Sequence, residues 1–328
     1  MKKLIFSVAM LSAALSASAE EHPLWMRYPA ISPDGTTIAF AYKGDLYSVS
    51  VNGGEARQLT THAAFDSHPV WSPDSKKIAF QSNREGSLDI FVIDAKGGAP
   101  TRLTTNSGSE TPIAFPDNEH VLYSASLQPT AQSIIFGDNT FPQVYKVSTK
   151  GGRPELFSTL TMENISIAKN GDILYHDKKG YEDPWRKHQK SPIARDIWLK
   201  SNGKFAKQTT FAGEDRSPVW TSDEKSFFYL SEQDGTFNIY RRSLNSSSDK
   251  QITHHKGNPV RFLTASSADL LCYGYDGEIY TVKEGGEPQK VNISITTDND
   301  APSLVRQIKS WGATEISVSP DAKEGAFV

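Results

Sequence analysis

Cysteine is almost missing from these 328 residues: Cys272 stands alone, so no disulfide forms within the chain. Long apolar runs are missing too, and the one at residues 4–15 falls short of the roughly 20 residues that a membrane helix requires. Basic charge is not in excess, with 35 Lys and Arg against 38 Asp and Glu and a formal net charge of −3, which argues against a nucleic-acid-binding face. No Gly-x-Ser-x-Gly elbow, His-Glu-x-x-His pair, phosphate loop or dinucleotide fingerprint occurs, so no catalytic residue is assigned and no cofactor is expected. His254-His255 has no further Cys or His nearby, and Asp298-Asn299-Asp300 lacks the spaced ligands of a calcium loop, so no metal site is expected either. Cys272, between Leu271 and Tyr273 on a predicted strand, is expected to be a packed, inert thiol facing away from both.

The N-terminus carries an export signal. Lys2-Lys3 supplies its positive start, residues 4–15 its apolar stretch and Ala17-Ser18-Ala19 its small-x-small cleavage site, so residues 1–19 are expected to be removed and the mature chain to begin near Glu20. No cysteine follows the site, so lipid attachment is not suggested. An oxidising destination without a disulfide framework fits a bacterial periplasm and a chain without a membrane span.

Beyond the signal, one unit recurs six times with a period of 40 to 50 residues, the range of propeller blades. Ser32-Pro33-Asp34-Gly35 and Ser72-Pro73-Asp74-Ser75 are its clearest turns; weaker copies are Phe115-Pro116-Asp117-Asn118, Ala168-Lys169-Asn170-Gly171, Thr221-Ser222-Asp223-Glu224 and Ala265-Ser266-Ser267-Ala268. Proline presets φ for the first central position, and Asp or Asn next to it bonds its own backbone. After each turn, apolar and aromatic residues two apart share one face of a strand: Ile38 and Phe40, Ile78 and Phe80, Val121 and Tyr123, Ile173 and Tyr175, Phe227 and Tyr229, Leu271 and Tyr273. A third strand recurs in forms such as Asp45-Leu46-Tyr47 and Asp89-Ile90-Phe91, and a fourth as Gln58-Leu59-Thr60 or Gln251-Ile252-Thr253. Four antiparallel strands per unit and no helical period predict an all-β, six-bladed β-propeller over residues 20–297.

A polar run follows from Thr296 to Ser303, and then the pattern restarts with Glu315-Ile316-Ser317-Val318-Ser319-Pro320-Asp321 and Gly325-Ala326-Phe327. Residues 298–328 are therefore expected to be a linker and the first strands of a second, truncated propeller, with the native polypeptide continuing.

From the second-strand aromatic to the third-strand aromatic the chain takes 7 residues in units 1 and 6 and 11 in units 2 and 5, but 22 in unit 3 and 23 in unit 4. Long neighbouring loops on one face of a rigid ring are where binding is expected. The unit 3 loop is partly apolar and offers Phe136 and Phe141. The unit 4 loop carries a local charge of +3 and offers Trp185, Arg186, Lys187, His188 and Arg195. These seven are the candidate binding residues, for peptides or for docking of downstream domains.

The Ser-Pro-Asp-Gly turn, the Asp-Leu-Tyr strand and the Gln-Leu-Thr strand together resemble the repeat of TolB, of the tricorn proteases and of dipeptidyl-peptidase-type propellers. His22-Pro23-Leu24-Trp25-Met26-Arg27-Tyr28 leads directly from the signal into the first blade, and a second propeller is expected to follow the first; that order is similar to the tricorn-like protease plan. Glu182-Asp183-Pro184-Trp185-Arg186-Lys187-His188 followed by Asp196-Ile197-Trp198 is similar to an insertion in tricorn-type first propellers, although His188 and the lack of a Gly-Gly pair depart from it. The resemblance implies a non-catalytic propeller that channels substrates or products for a serine peptidase acting on peptides without a cofactor. It further implies downstream propeller and protease domains in the same polypeptide and a homo-oligomer. The alternative reading is a TolB-like periplasmic protein-binding propeller without peptidase activity.

Overall fold

The computed structural model describes residues 23–127, 141–180, 190–244, 246, 248–296, 315–321, 323 and 325–327. Strands, turns and coil account for all of these, and no helix occurs among them. Blade 1 is β1 (Arg27–Ile31), β2 (Thr37–Tyr42), β3 (Asp45–Ser50) and, after the two-residue β4 (Gly54–Glu55), β5 (Arg57–Gln58). Blade 2 is β6 (Asp66–Trp71), β7 (Lys77–Ser82), β8 (Asp89–Asp94) and β9 (Thr101–Arg102); blade 3 is β10 (Glu110–Asp117), β11 (His120–Ala125), β12 (Gln143–Ser148) and β13 (Glu155–Ser158). Blade 4 is β14 (Met162–Ile167), β15 (Ile173–Asp177), β16 (Ile197–Ser201) and β17 (Lys204–Lys207); blade 5 is β18 (Asp215–Trp220), β19 (Ser226–Ser231), β20 (Asn238–Ser243) and β21 (Asp249–Gln251). Blade 6 is β22 (Arg261–Ala265), β23 (Leu271–Tyr275), β24 (Glu278–Val282) and β25 (Gln289–Lys290). Each blade is an antiparallel meander of consecutive strands. The first strands touch in cyclic order, β1 with β6, then β10, β14, β18, β22 and back to β1, so the ring is a closed six-bladed propeller.

The core is six layers between blades rather than one centre. Ile38 and Phe40 pack against Cys272 and Ile279 of blade 6, while Ala39 and Ala41, on the opposite face of β2, pack against Trp71, Ile78 and Phe80 of blade 2. Each of the six alternating pairs faces the preceding blade in this way: Val121 and Tyr123 meet blade 2, Ile173 and Tyr175 blade 3, Phe227 and Tyr229 blade 4, Leu271 and Tyr273 blade 5. A period of two therefore feeds two different interfaces at once. Cys272 joins the blade 6–1 layer while its neighbours Leu271 and Tyr273 join the blade 5–6 layer, and its burial pushes the thiol well above the ordinary range.

The repeated third- and fourth-strand motifs are halves of one contact. The Thr60 hydroxyl accepts the backbone N–H of Leu46 at 2.9 Å, Thr104 that of Ile90 at 2.9 Å, Thr209 that of Ile197 at 3.1 Å and Thr253 that of Ile239 at 2.9 Å. Gln58 completes the pairing in blade 1 by donating to Asp45 at 3.0 Å. A threonine at the end of the fourth strand thus satisfies a buried donor that the short strand leaves unpaired.

Two turn registers differ from expectation. In blade 6 the turn is Ser266-Ser267-Ala268-Asp269, one residue later than Ala265–Ala268: the Ser266 hydroxyl accepts the Leu270 N–H at 3.2 Å, and Asp269 takes the positive φ (56°) that Gly35 (74°), Ser75 (60°), Gly171 (88°) and Glu224 (54°) take in their own turns. In blade 3, Asp117 pairs with His120, so Phe115 and Pro116 remain in β10 and the turn is Asn118-Glu119.

The ring closes without exchange of a blade strand. β26 (Ile293–Ser294) runs parallel to β4, with Gly54 N–H donating to Asn292 at 2.9 Å and Ala56 N–H to Ser294 at 2.8 Å. Ile293 and Ile295 enter the blade 6–1 layer, and this compact unit ends at Ile295. Residues 296–328 form a separate unit whose described part is a hairpin of β27 (Ile316–Val318) and β28 (Gly325–Phe327). Its Ser319 hydroxyl bonds Asp321 at 2.7 Å, the contact that Ser32 makes with Asp34 at 2.6 Å and Ser72 with Asp74 at 2.7 Å.

Candidate functional site

In an antiparallel meander, the start of the first strand, the second-to-third loop and the exit of the fourth strand all lie at one end of the blade. The described ends of the long connections of blades 3 and 4, residues 126–127 with 141–142 and 178–180 with 190–196, therefore share an end of the ring with the first residues of β1, β6, β10, β14, β18 and β22. All six of these inner strands have an irregular register near that end. Five hold a non-glycine residue there at positive φ: Tyr28 (55°), His68 (54°), Asn164 (48°), Ser217 (51°) and Phe262 (59°). The sixth, in blade 3, falls at Pro112, whose ring fixes φ on the negative side. A bulge at this place turns one side chain of each inner strand out of the blade-to-blade alternation.

The mouth so formed has two unlike halves. On blades 6, 1 and 2 it is aromatic: the Tyr28 ring stacks on His68 with centroids 3.7 Å apart and meets Phe262 edge-on at 4.8 Å. On blades 4 and 5 it is ionic. Arg195, just before β16, donates to Glu163 of β14 at 3.1 Å and to Glu214, just before β18, at 3.3 Å. Arg216 donates to the other Glu214 oxygen at 2.5 Å, and Lys178 lies 3.7 Å from Glu163. The His176 Nδ1 accepts the Ser217 N–H at 3.1 Å, which leaves Nε2 as the protonated nitrogen that donates to Glu163 at 3.2 Å. Burial pushes the His176 pKa down, consistent with that neutral tautomer. Burial alone would raise the Glu163 pKa; the His176 hydrogen bond and the Arg195 and Lys178 charges outweigh it and hold the carboxyl below its usual range.

Of the residues expected to bind, Phe136, Trp185, Arg186, Lys187 and His188 lie outside the described residues. Phe141 is exposed beside Pro142 at the entry to β12, and Arg195 is buried at the seam of blades 4 and 5. No sequence motif marks Glu163, His176, Glu214 and Arg216, because they come from three separate segments, β14, β15 and the start of β18. The aromatic half does leave a trace in the sequence: Tyr28-Pro29 and His68-Pro69 stand at matching places in successive units. Among the described residues, no group of three or more His, Cys, Asp or Glu side chains is placed to hold a metal ion.

Residues 23–288 match the tricorn protease N-terminal beta propeller domain. The chain belongs to this family. Tricorn protease homolog 1 of Streptomyces coelicolor is 25% identical over 281 residues, which cover 83% of the chain but 25% of that protein. The crystal structure of the tricorn protease superposes with a TM-score of 0.70 at 20% identity, over 86% of the chain and 27% of its own. TolB from Acinetobacter baumannii shares the fold with a TM-score of 0.57 at 15% identity, over 79% of the chain and 61% of its own. This tricorn-type propeller thus spans about a quarter of the length of its curated tricorn relative. No helix among its described residues is long and apolar enough to cross a membrane.

Proposed function

We propose that this propeller is the non-catalytic, substrate- or product-channelling domain of an exported, tricorn-like serine peptidase that acts on peptides. The observation that carries the reading is the family match over residues 23–288 in a chain that spans 25% of its Streptomyces relative. In this reading residues 1–19 direct export to the periplasm, and residues 298–328 lead into a second propeller and the protease domains. The assembly is a homo-oligomer. Phe136, Phe141, Trp185, Arg186, Lys187, His188 and Arg195 contact peptides or the downstream domains, and no cofactor takes part. The two-sided mouth supports passage of a peptide, because an extended chain presents apolar and charged groups to different walls.

The test is the mass and activity of the native protein, captured from its source with an antibody to the propeller. A chain several times longer than 328 residues, with peptide cleavage stopped by a serine-directed inhibitor, is the expected outcome. A chain ending near Val328 that binds protein partners and cleaves nothing would favour a TolB-like binding propeller instead. In the full-length protein, charge reversal at Arg186 and Lys187 should lower peptide turnover or disturb assembly; unchanged turnover and assembly would remove that loop from the reading.

A further inference from the structure

Three inner strands hold a bulky ring where the backbone is least suited to one. Tyr28, His68 and Phe262 have φ of 55°, 54° and 59°, a region that glycine, asparagine and to a degree histidine enter more readily than Tyr or Phe. Blade 4 shows the easier solution, with Asn164 at the matching bulge. Blade 6 makes a second concession to its ring: Gly274 sits inside β23, where a Cβ would lie 3.2 Å from the Phe262 ring, so a strand-weakening glycine clears the space. Yet all three rings are only partly buried, so neither the strain nor the glycine is offset by complete burial. Backbone strain held in this way gathers where a side chain serves a ligand rather than the fold.

We propose that Tyr28, His68 and Phe262 form a collar that binds an aromatic or bulky apolar side chain of a peptide entering the ring. The assignment of a peptide rests on the functional reading above; the chemistry of the collar does not. The rings come from three consecutive blades and touch in sequence, Phe262 to Tyr28 to His68, edge-on at 4.8 Å and stacked at 3.7 Å between centroids. An aromatic guest gains from offset-stacked or edge-on contact with rings held in a fixed array. Burial lowers the His68 pKa to about 4, so the collar carries no charge of its own at neutral pH and does not compete with the ionic half for acidic groups.

The experiment uses the full-length protein, with N-acetylphenylalanine amide and N-acetylalanine amide as probes followed by saturation-transfer NMR. Melting temperatures are measured in parallel. The phenyl probe should bind more tightly than the alanine probe. Tyr28→Asn and Phe262→Asn should each weaken phenyl binding by about three- to tenfold. Because asparagine accepts the positive φ, both variants should melt at or above the parent temperature. Equal binding of the two probes, phenyl binding unaffected by either substitution, or a fall of several degrees in both variants would each overturn the collar and make the rings packing elements. A serine-directed inhibitor present throughout keeps the probes intact, so a protein that lacks peptidase activity overturns the functional reading while the collar is still decided by binding.

Discussion

At the scale of single residues, the ring mouth carries buried groups whose environments set their charge. Asp215 opens β18 and is almost fully buried. Burial raises its pKa from 3.8 to about 7; the hydroxyls of Ser231 and Thr209 oppose the rise, and the nearby carboxylates of Asp196 and Asp249 add to it. The folded chain therefore holds this proton more tightly than the unfolded chain. Its contribution to stability is fully present below the unfolded value near 3.8 and is lost as pH rises through 7. Asp215→Asn removes the titration, so its advantage over the parent should be absent near pH 4 and grow to a few kcal/mol above pH 7, at about 1.4 kcal/mol for each tenfold difference in proton affinity between the folded and unfolded chain. Urea midpoints at four pH values between 4 and 8 would check this; a difference independent of pH would contradict it. Arg195 shows how much of this scale was legible. Its charge was visible in a basic loop, but its partners Glu163 and Glu214 lie 32 and 19 residues away, and no local pattern announces a pairing across two blades.

At the scale of elements, the inner-strand turns form a linked girdle. Asp34 N–H donates to Ser75 at 3.1 Å, Asp74 N–H to Asn118 at 3.0 Å, Lys169 N–H to Glu224 at 2.9 Å and Ser222 N–H to Asp269 at 2.7 Å, each time to a turn side chain of the next blade. Blade 1 has Gly35 at the fourth turn position and offers the Pro33 carbonyl to Ser267 instead, at 2.8 Å. Blade 4 has Gly171, which has no side chain to accept a bond from blade 3. The turn aspartates were legible as turn formers from Ser-Pro-Asp-Gly alone; their neighbours' role as inter-blade acceptors was not, because it spans some 40 residues. Asp269 accepts both the N–H and the hydroxyl of Ser222 at 2.7 Å. Asp269→Ala should therefore destabilise the ring by about 1–2 kcal/mol, two modest hydrogen bonds plus the positive φ. Asp269→Asn, which tolerates that φ and keeps an acceptor, should recover about half of the loss. Equal denaturation midpoints for parent and Asp269→Ala would show that the girdle does not contribute. The weak sixth copy places its turn one residue too early because Ala265-Ser266-Ser267-Ala268 lacks both Pro and Gly, leaving only the backbone geometry of Asp269 to mark the register.

At the scale of the whole propeller unit, stability depends on a seam between its first and last blades. Gly53 has φ of +84°, and a Cβ there would stand 2.4 Å from the Asn292 backbone oxygen, the acceptor that holds β4 to β26. Backbone cannot yield to that contact as a flexible side chain would. Gly53→Ala should cost about 2 kcal/mol or more and open the seam first. Hydrogen exchange at Gly54 and Ala56, the two donors into the closing segment, should accelerate while blade 3 amides such as Leu122 keep their protection. Uniform acceleration in all blades would mean that closure is not a separable unit.

The sequence by itself determined the number of blades, the four-strand meander and the residues that fill each layer, because these depend on a period of two and on turns whose chemistry is complete within four residues. Tertiary structure alone decided the manner of closure, the girdle of turns, the ionic seam around Arg195 and the aromatic collar. Each of those depends on contacts between blades, such as the Ile31 N–H to Thr264 hydroxyl bond across 233 residues. The side chains that make such contacts are selected by the curvature of the closed ring, which exists only after every blade has been placed.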